Sequence, residues 1–268
     1  MSSAAATGDS WQPAQYHRFQ QERQAPFFDL LALLQAVPGG RVVDLGCGTG
    51  ELSHILHQRL EAAETLGIDN SAEMLAEARS TVDGLTFREG DIGGFDEPGA
   101  WDVVAANASL QWVPDHATVL ARWTGSLRPG GQLAVQMPAN VDHASHRLSS
   151  EVALDPEFAA AFEASGGPPP ADPVLSVLRP EQYAVLLDEL GFVDQHVRLQ
   201  VYGHHLASTA EVVEWVKGTS LTRFRRRLPP DVYETFVNRY RQRLLAELGD
   251  HHPYFYAFKR ILLWGRLA

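Results

Sequence analysis

The chain has 268 residues, of which 45% are hydrophobic, 21% charged and 9% aromatic, and its net charge at pH 7 is −11. This composition is ordinary for a globular protein and excludes a fully disordered chain, a collagen-like repeat and a disulfide-stapled miniprotein. The acidic balance disfavours nucleic acid or an anionic membrane surface as a partner. A single cysteine, Cys47, fits a reducing compartment, and no apolar run approaches the roughly 20 residues needed to span a bilayer. We therefore expect a cytoplasmic protein with a disordered tail over residues 1–10.

Apolar runs alternate with amphipathic helical patterns along the chain, which is typical of a βαβ sheet. Strands are predicted at residues 41–45, 65–69, 85–88, 101–107, 132–137, 193–202 and 254–267. Helices are predicted at about 51–60, from Ser71 to 78, at 117–127, 180–190 and over most of 209–248. Ligands of such sheets bind where the parallel strands end, at their carboxyl edge. The helical block before the last strand is suited to a lid over that edge.

A glycine-rich turn, VDLGCGTG at residues 43–50, lies directly between the first predicted strand and the first predicted helix. Glycines at 46, 48 and 50 allow positive φ angles and let a ligand approach the backbone without a Cβ atom in the way. An ordinary tight turn also uses glycine, but three alternating glycines in this context favour a cofactor-binding loop.

A nicotinamide dinucleotide site is the obvious alternative for such a loop. Its fingerprint requires a third glycine at the position that Glu51 occupies here. A carboxylate there faces the place where a pyrophosphate would bind at the helix N-terminus. The loop therefore predicts a cofactor that carries no phosphate.

Acidic residues end the next two predicted strands. Asp69 is placed to accept hydrogen bonds from two ribose hydroxyls, and Asp91 to accept one from an adenine amine. Either aspartate alone could simply cap a following helix. The ordered set of glycine loop, first acid and second acid is more specific than any one member.

These residues resemble the class I S-adenosylmethionine-dependent methyltransferases. The matching segments lie within residues 42–138 and are VDLGCGTG, GIDNSAEMLAEAR, FREGDI, WDVVAANASLQWVPDH and LRPGGQLAVQMP. Within that class, the chain is most similar to the trans-aconitate 2-methyltransferases, through the segments WQPAQYHRFQQER, ANASLQWVPDH, LAVQMPAN and YGHHLASTAEVVEWVKGTSL.

The resemblance implies an α/β fold with a Rossmann-like, mostly parallel seven-stranded sheet, helices on both faces and a helical cap inserted late in the chain. A single domain is then expected over residues 11–268, with cap segments at about 145–178 and 206–250.

The resemblance also implies S-adenosylmethionine as the cofactor and a set of residues that contact it. The implied residues are Trp11, Tyr16, Arg23, Gly46, Cys47, Gly48, Gly50, Asp69, Asn70, Met74, Asp91, Ile92, Asn107, Ala108 and Gln111. The first three belong to an N-terminal segment that would fold over the cofactor, where aromatic rings favour a sulfonium by roughly 0.5–2 kcal/mol. Packing of the N-terminus is the alternative role for these aromatics.

Four pairs of neighbouring histidines invite a metal interpretation, but no third ligand lies at a suitable spacing and only one cysteine is present. No metal site is therefore predicted. His143, His146 and His205 follow strand ends near the expected acceptor pocket, so substrate binding remains open for them beside an ordinary surface or half-buried role.

The run RFRRR at residues 223–227 is the one basic run of an acidic chain. A solvated face is the usual explanation of such a run. A carboxylate clamp is the other, because a guanidinium binds a carboxylate through two parallel hydrogen bonds. Arg223 is the candidate clamp, with His143, His205, Arg23 and Arg260 as substitutes.

We expect methyl transfer to a carboxylate oxygen of a small polycarboxylic acid, giving a monomethyl ester. A carboxylate is already ionised at pH 7, since its reference pKa is about 4, so no catalytic base is required. Two alternatives stay open: methylation of a hydroxyl or amine with His143 or His205 as base, and a cofactor-binding module without turnover. The expected partner is a small anion, and the chain is expected to be a monomer or a homodimer.

Overall fold

The computed structural model describes residues 20–268, with side chains from residue 24 onward. The predicted tail, Trp11 and Tyr16 lie outside the described residues, and so does the side chain of Arg23.

Seven strands form one sheet in the order β3-β2-β1-β4-β5-β7-β6. The strands are β1 (Arg41–Leu45), β2 (Glu64–Asp69), β3 (Leu85–Glu89), β4 (Trp101–Asn107), β5 (Leu127–Pro138), β6 (Phe192–Leu206) and β7 (Tyr254–Leu267). All neighbours from β3 to β5 pair in parallel, whereas β7 is antiparallel to both β5 and β6. The predicted mostly parallel, seven-stranded sheet is confirmed. Its parallel strands bring their carboxyl ends to one edge.

Helices cover both faces of this sheet and one of its edges. They are α1 (Gln20–Leu31), α2 (Glu51–Arg59), α3 (Ala72–Glu77), α4 (His116–Gly125), α5 (Ala144–Ala153), α6 (Pro156–Ala164), α7 (Pro180–Glu189), α8 (Glu211–Lys217), α9 (Thr222–Arg225) and α10 (Pro230–Leu248), with short 3₁₀ turns at Ile92–Gly94, Leu110–Trp112 and Pro173–Ser176. Among the helices of residues 20–268, none is both long and apolar enough to cross a membrane.

The alternation of side chains along β1 divides the interior into two layers. Val43 packs with Trp123 and Tyr183 from α4 and α7, whereas its neighbour Val42 packs on the opposite face with Leu56 from α2. Successive residues of a strand point to opposite faces, so a fully apolar run is what a strand buried on both faces requires.

Four strands are longer than the sequence patterns predicted, β2 and β3 by one residue each and β5 and β6 by more. β5 begins at Leu127 and not at residue 132, because Leu127 pairs with Trp101 while the Pro129-Gly130-Gly131 step forms an irregularity before Gln132 pairs with Val103. The Pro129-Gly130-Gly131 step thus lies within the strand as an irregularity and does not precede the strand. β6 continues to Leu206, since β7 offers it a pairing partner as far as Tyr254.

The helices beyond β5 pack mostly against each other. The cap, defined here as α5, α6 and α8–α10, shares one apolar cluster with the ends of β6 and β7. Aromatic rings dominate its centre, where Phe236 lies 4.8 Å from Phe224 and 5.4 Å from Phe158 between ring centroids. The cap therefore has an apolar core of its own, distinct from those that cover the sheet.

Truncation of this aromatic centre should destabilise the protein. Phe236 is fully buried, so Phe236→Ala removes a large side chain and leaves a cavity, at a cost of about 3–5 kcal/mol. The free energy of unfolding from urea titration is the measurement, with Val185→Ala as control because Val185 is 58% exposed on α7. Equal stabilities of the two variants would contradict the described packing.

Candidate active site

A cavity of about 370 Å³ opens at the carboxyl ends of β1, β2, β3 and β4, and cap residues contribute to its wall. It is lined by Gly46, Gly48, Asp69, Asn70, Met74, Asp91, Ile92, Asn107, Ala108, Ser109, Trp112, Val113, Pro114, Thr222 and Arg226. Nine of the residues that the sequence indicated for a cofactor therefore line this cavity: Gly46, Gly48, Asp69, Asn70, Met74, Asp91, Ile92, Asn107 and Ala108.

The glycine loop has the left-handed backbone that its sequence suggested, with φ of 84° at Gly46, 56° at Gly48 and 75° at Gly50. A Cβ atom at Gly46 would lie 2.2 Å from the Cβ of Ser109, and one at Gly50 would lie 2.4 Å from the ring of Phe87. At Gly48 the one close neighbour would be the flexible end of Met74, at 3.2 Å. Two glycines are thus required by packing, whereas Gly48 has room for a Cβ atom beside Met74 and lines the main cavity.

Asp69 holds the loop in place from the end of β2. One carboxylate oxygen accepts a hydrogen bond from the Gly48 amide and the other from the Ser71 amide, each at 2.9 Å. Ser71 in turn caps α3, since its hydroxyl accepts a hydrogen bond from the Met74 amide. The predicted cap at Ser71 is confirmed, and the same aspartate lines the cavity.

Asp91 occupies the equivalent position after β3. Its carboxylate accepts a hydrogen bond from the Gly93 amide at 3.0 Å, which caps the 3₁₀ turn at Ile92–Gly94. Asp91 therefore has the structural capping role considered for it, and it also lines the cavity beside Ile92.

The floor of the cavity is the turn after β4. Ala108 has a positive φ of 55°, an uncommon conformation for a residue with a side chain. Its amide donates to the Gln136 carbonyl at 2.8 Å and its carbonyl accepts from the Gln111 side chain at 2.6 Å. The Gln136 side chain also donates to the Asn107 side chain at 2.6 Å. Gln136, which sequence reasoning missed, therefore fixes this floor from β5.

A smaller cavity of about 60 Å³ lies on the other side of the glycine loop, lined in part by Asp44, Cys47 and Glu51. Burial raises the pKa of Asp44 to about 6, although a 2.5 Å hydrogen bond from Ser53 opposes that shift. Asp44 is a second residue that the sequence did not single out. Its signal was a charged residue inside the apolar run RVVDL. Burial also raises the pKa of the Cys47 thiol, which therefore stays protonated near neutral pH.

A third cavity, the cap pocket, measures about 90 Å³ and lies between the sheet edge and the cap. Its lining residues are Asn107, Ala108, Gln111, Trp112, Pro138, His146, Pro173, Val174, Trp215, Val216, Thr219, Ser220, Phe258 and Arg260. It shares Asn107, Ala108 and Trp112 with the main cavity, so the two adjoin at the turn after β4. Gln111 lines this pocket and not the main cavity.

Arg223, the predicted carboxylate clamp, lies elsewhere. The residue is 8% exposed, and its guanidinium forms a 2.7 Å ion pair with Asp172 and donates to Ser149 at 3.1 Å. It lines none of the three cavities described above. A residue of the same basic run, Arg226, lies at the wall of the main cavity instead.

Asp172 is the buried carboxylate that Arg223 compensates. Burial alone would raise the pKa of its carboxyl, but a 3.0 Å hydrogen bond from His146 and the charge of Arg223 offset this effect and hold the pKa below its usual value. His146 thereby joins Arg223 and Asp172 in one buried polar group, and of these three residues it is the one that lines the cap pocket.

The other two candidate histidines do not line these cavities. His143 caps α5 through Nδ1, and its Nε2 lies 3.2 Å from the Tyr254 hydroxyl. Burial, followed by the charge of His146, lowers the pKa of His143 to about 4, so it is neutral at pH 7. His205 is exposed on the outer side of β6 against Phe255, whereas the adjacent His204 faces the interior beside Trp215.

Comparison with known proteins identifies the family. A methyltransferase domain matches residues 36–168. A trans-aconitate 2-methyltransferase of Deinococcus radiodurans is 45% identical over 255 residues, which cover 94% of this chain and 96% of that protein. The chain belongs to the trans-aconitate 2-methyltransferase family. A second member, from Methylobacterium nodulans, is 40% identical over 91% of this chain and 90% of its own.

The resemblance predicted from the sequence is therefore confirmed, and the protein is an S-adenosylmethionine-dependent methyltransferase. The fold is shared more widely. The crystal structure of the YcgJ protein of Bacillus subtilis superimposes with a TM-score of 0.59 over 91% of this chain and 98% of that one, at 13% sequence identity.

Loss of the Arg223 side chain should affect stability before it affects substrate binding. Arg223→Ala would leave the buried Asp172 carboxylate without its cationic partner, at a cost of about 3–5 kcal/mol. Thermal unfolding followed by circular dichroism is the measurement. Arg225→Ala serves as the control, because Arg225 belongs to the same run but is exposed. A variant that retains full stability but binds its acceptor poorly would restore the clamp role to Arg223.

Proposed function

We propose that this enzyme transfers a methyl group from S-adenosylmethionine to a carboxylate oxygen of trans-aconitate, giving a monomethyl ester. The observation that carries the proposal is the junction of two unlike cavities at Asn107 and Ala108. Aspartates lie in the wall of the main cavity, and a buried arginine lies in the wall of the cap pocket. The name of the 45% identical relative supports the same acceptor.

The main cavity suits a cofactor that carries positive charge and no phosphate. Asp69 and Asp91 lie in its wall with one cation, Arg226, and Asp44 and Glu51 line the adjoining cavity behind the glycine loop, so acids predominate. An anionic lining favours a sulfonium and an ammonium group and repels a pyrophosphate. We assign Asp69 to the ribose, Asn70, Met74, Asp91 and Ile92 to the adenine, and the loop backbone to the methionyl part.

When bound, S-adenosylmethionine supplies an electrophilic methyl group, and the acceptor carboxylate oxygen forms a bond to that carbon as the carbon–sulfur bond breaks. The chain contributes alignment, because the turn at Asn107 and Ala108 separates the two ligands. It also removes water from the acceptor oxygen under the cap. No residue needs to take a proton from an ionised carboxylate.

Arg260 replaces Arg223 as the proposed partner of the acceptor acid. It lines the cap pocket, is 4% exposed and donates to the Gln136 side chain at 3.0 Å. Its guanidinium also lies 4.9 Å from the centre of the Phe258 ring. These contacts orient a buried cation beside the junction, which is what recognition of a small anion requires.

Methylation of a hydroxyl or amine is the second candidate function, and one observation favours it. His146 lines the cap pocket with its Nδ1 held by Asp172, an arrangement that a general base also uses. His143 and His205, the bases considered from the sequence, have no access to the three cavities described.

The two functions separate in one experiment. The enzyme is incubated with methyl-labelled S-adenosylmethionine and a panel of tricarboxylic, dicarboxylic and hydroxylated acids, and the products are read by mass spectrometry. Our proposal predicts a methyl ester of trans-aconitate that alkali hydrolyses, and a pH–rate profile that is flat between about pH 6 and 8 because the carboxylate stays ionised there. An alkali-stable ether or methylamine product would establish the second candidate instead.

The open side of the glycine loop gives a sharper test of the cofactor site. Gly48→Ala adds a methyl group at a loop position that lines the main cavity, and we expect the Kd for S-adenosylhomocysteine to rise at least about tenfold, corresponding to roughly 1.4 kcal/mol. The left-handed backbone at that position also lowers the stability of a variant with a side chain by about 1–2 kcal/mol.

Gly99→Ala is the matched control for this backbone cost. Gly99 has a φ of 59°, close to that of Gly48, but a Cβ atom there would meet nothing within 4 Å and the residue lines none of the three cavities. Isothermal titration should show weaker binding for Gly48→Ala alone, while both variants lose similar stability. Normal binding by Gly48→Ala would contradict the proposed position of the cofactor on this side of the loop.

A further inference from the structure

The cap pocket contains a buried hydroxyl group that the fold itself does not use. Ser220 is 4% exposed, and its Oγ has no hydrogen-bond partner among the described residues. A buried polar group without a partner destabilises a protein, so nearly all such groups in native structures are satisfied. Ser220 lies in the wall of the cap pocket, where a bound molecule would supply the missing partner.

The residues around this hydroxyl favour an anion as that partner. Arg260 contributes a buried guanidinium, and His146 contributes an imidazole whose Nδ1 already lies 3.0 Å from Asp172. Nε2 is then the nitrogen of His146 that remains for another partner. The hydroxyl and the guanidinium are the donors that match the oxygens of a carboxylate, which accepts several hydrogen bonds at once, and the imidazole completes the polar end of the pocket.

The rest of the wall is apolar and strengthens such contacts. Trp215, Val216 and Phe258 are buried side chains that face the same pocket. Charge-assisted hydrogen bonds are stronger where water is excluded. At about 90 Å³ the pocket fits a short acidic arm and not a long chain.

The carboxylate that contacts His146 among the described residues, Asp172, is already compensated. Asp172 pairs with Arg223 at 2.7 Å and with His146 at 3.0 Å, and it does not line the cap pocket. Its negative charge is therefore held away from an incoming acid. Arg223 acts in this arrangement as a positioning residue, since it keeps Asp172 in the geometry that orients His146.

We infer that Ser220 determines acceptor specificity: its hydroxyl donates a hydrogen bond to a carboxylate of the acceptor other than the one that is methylated. This inference rests on the proposed function and identifies the acceptor as an acid with at least two carboxylates. One carboxylate lies at the junction with the main cavity, and a distal one lies in the cap pocket with Ser220, His146 and Arg260.

Ser220→Ala distinguishes this role from a structural one. We expect the KM for trans-aconitate to rise about 10- to 100-fold, as for loss of a hydrogen bond to a charged group, with kcat changed less than about threefold. The Kd for S-adenosylhomocysteine should stay within about twofold, because Ser220 lies outside the main cavity. The melting temperature should stay the same or rise, since the variant removes a buried hydroxyl that has no partner in the fold.

Ser145→Ala is the matched control in the same part of the cap. Ser145 is fully buried, but its Oγ lies 2.9 Å from His143 Nδ1 and 3.4 Å from the Tyr256 hydroxyl, and it lines none of the three cavities. This variant should melt at a lower temperature with its KM unchanged.

A second acceptor identifies the carboxylate involved. Crotonate, a monocarboxylic acid with no distal carboxylate, should be a poorer substrate of the unmodified enzyme, and Ser220→Ala should change its kcat/KM less than about threefold. An equal penalty with both acids, or a loss of stability like that of Ser145→Ala, would overturn the inference. An unchanged KM for trans-aconitate would overturn it too, while the proposed function stands. Absence of turnover of either acid by the unmodified enzyme would instead overturn the proposed function and the inference together.

Discussion

The hydrogen bonds of one buried glutamine connect the floor of the main cavity to the cap pocket. Gln136 is fully buried on β5, and its side chain donates to Asn107 on β4 and accepts from Arg260 on β7. Its backbone carbonyl also accepts from Ala108, which holds the left-handed turn between the cavities. A single side chain therefore sets the relation between the floor of the main cavity and the cation of the cap pocket. Since both of its polar atoms are engaged inside the sheet, any shift of one strand would leave buried groups unsatisfied.

The buried charges show how an acidic chain creates a local site for an acid. Asp172 is compensated inside the cap by Arg223 and His146, whereas Arg260 is bound by the neutral Gln136. A neutral amide orients the guanidinium without carrying a charge of its own. Net charge is thus a poor guide to the chemistry of a small buried site, because the field there depends on the few groups that lie within hydrogen-bonding distance.

The sequence patterns predicted the sheet and the loop well, because both depend on neighbouring residues. The apolar run of β1, the positive φ angles of the glycines and the cap at Ser71 are local properties. Arg223 was different, since its partner Asp172 comes from an irregular Gly- and Pro-rich segment with no pattern that forecasts the pairing. The prediction for His205 on β6 was wrong for another reason. The alternation of a strand requires that one of His204 and His205 face inward, but the pairing with β7 decides which one does.

Gln136 could have been found in the sequence, and Arg260 was named there as a substitute for Arg223. Each lies in or beside a short apolar run, LAVQM in one case and RILLW in the other, and a buried polar side chain in a central strand requires a partner. What the sequence did not contain is the identity of that partner, because β5 and β7 are adjacent in the sheet but far apart along the chain.

The hairpin that carries the last cap helices has a consequence for how this enzyme can diversify. Leu206 and Tyr254 pair directly across β6 and β7, so the segment between them leaves and re-enters the sheet at a single point. Insertions, deletions or whole replacements there would leave the pairing of the five parallel strands intact. Natural variation or laboratory recombination at these two positions can therefore exchange α8–α10 while the glycine loop and the parallel strands are retained. Acceptor preference can then differ among related enzymes that share one catalytic core.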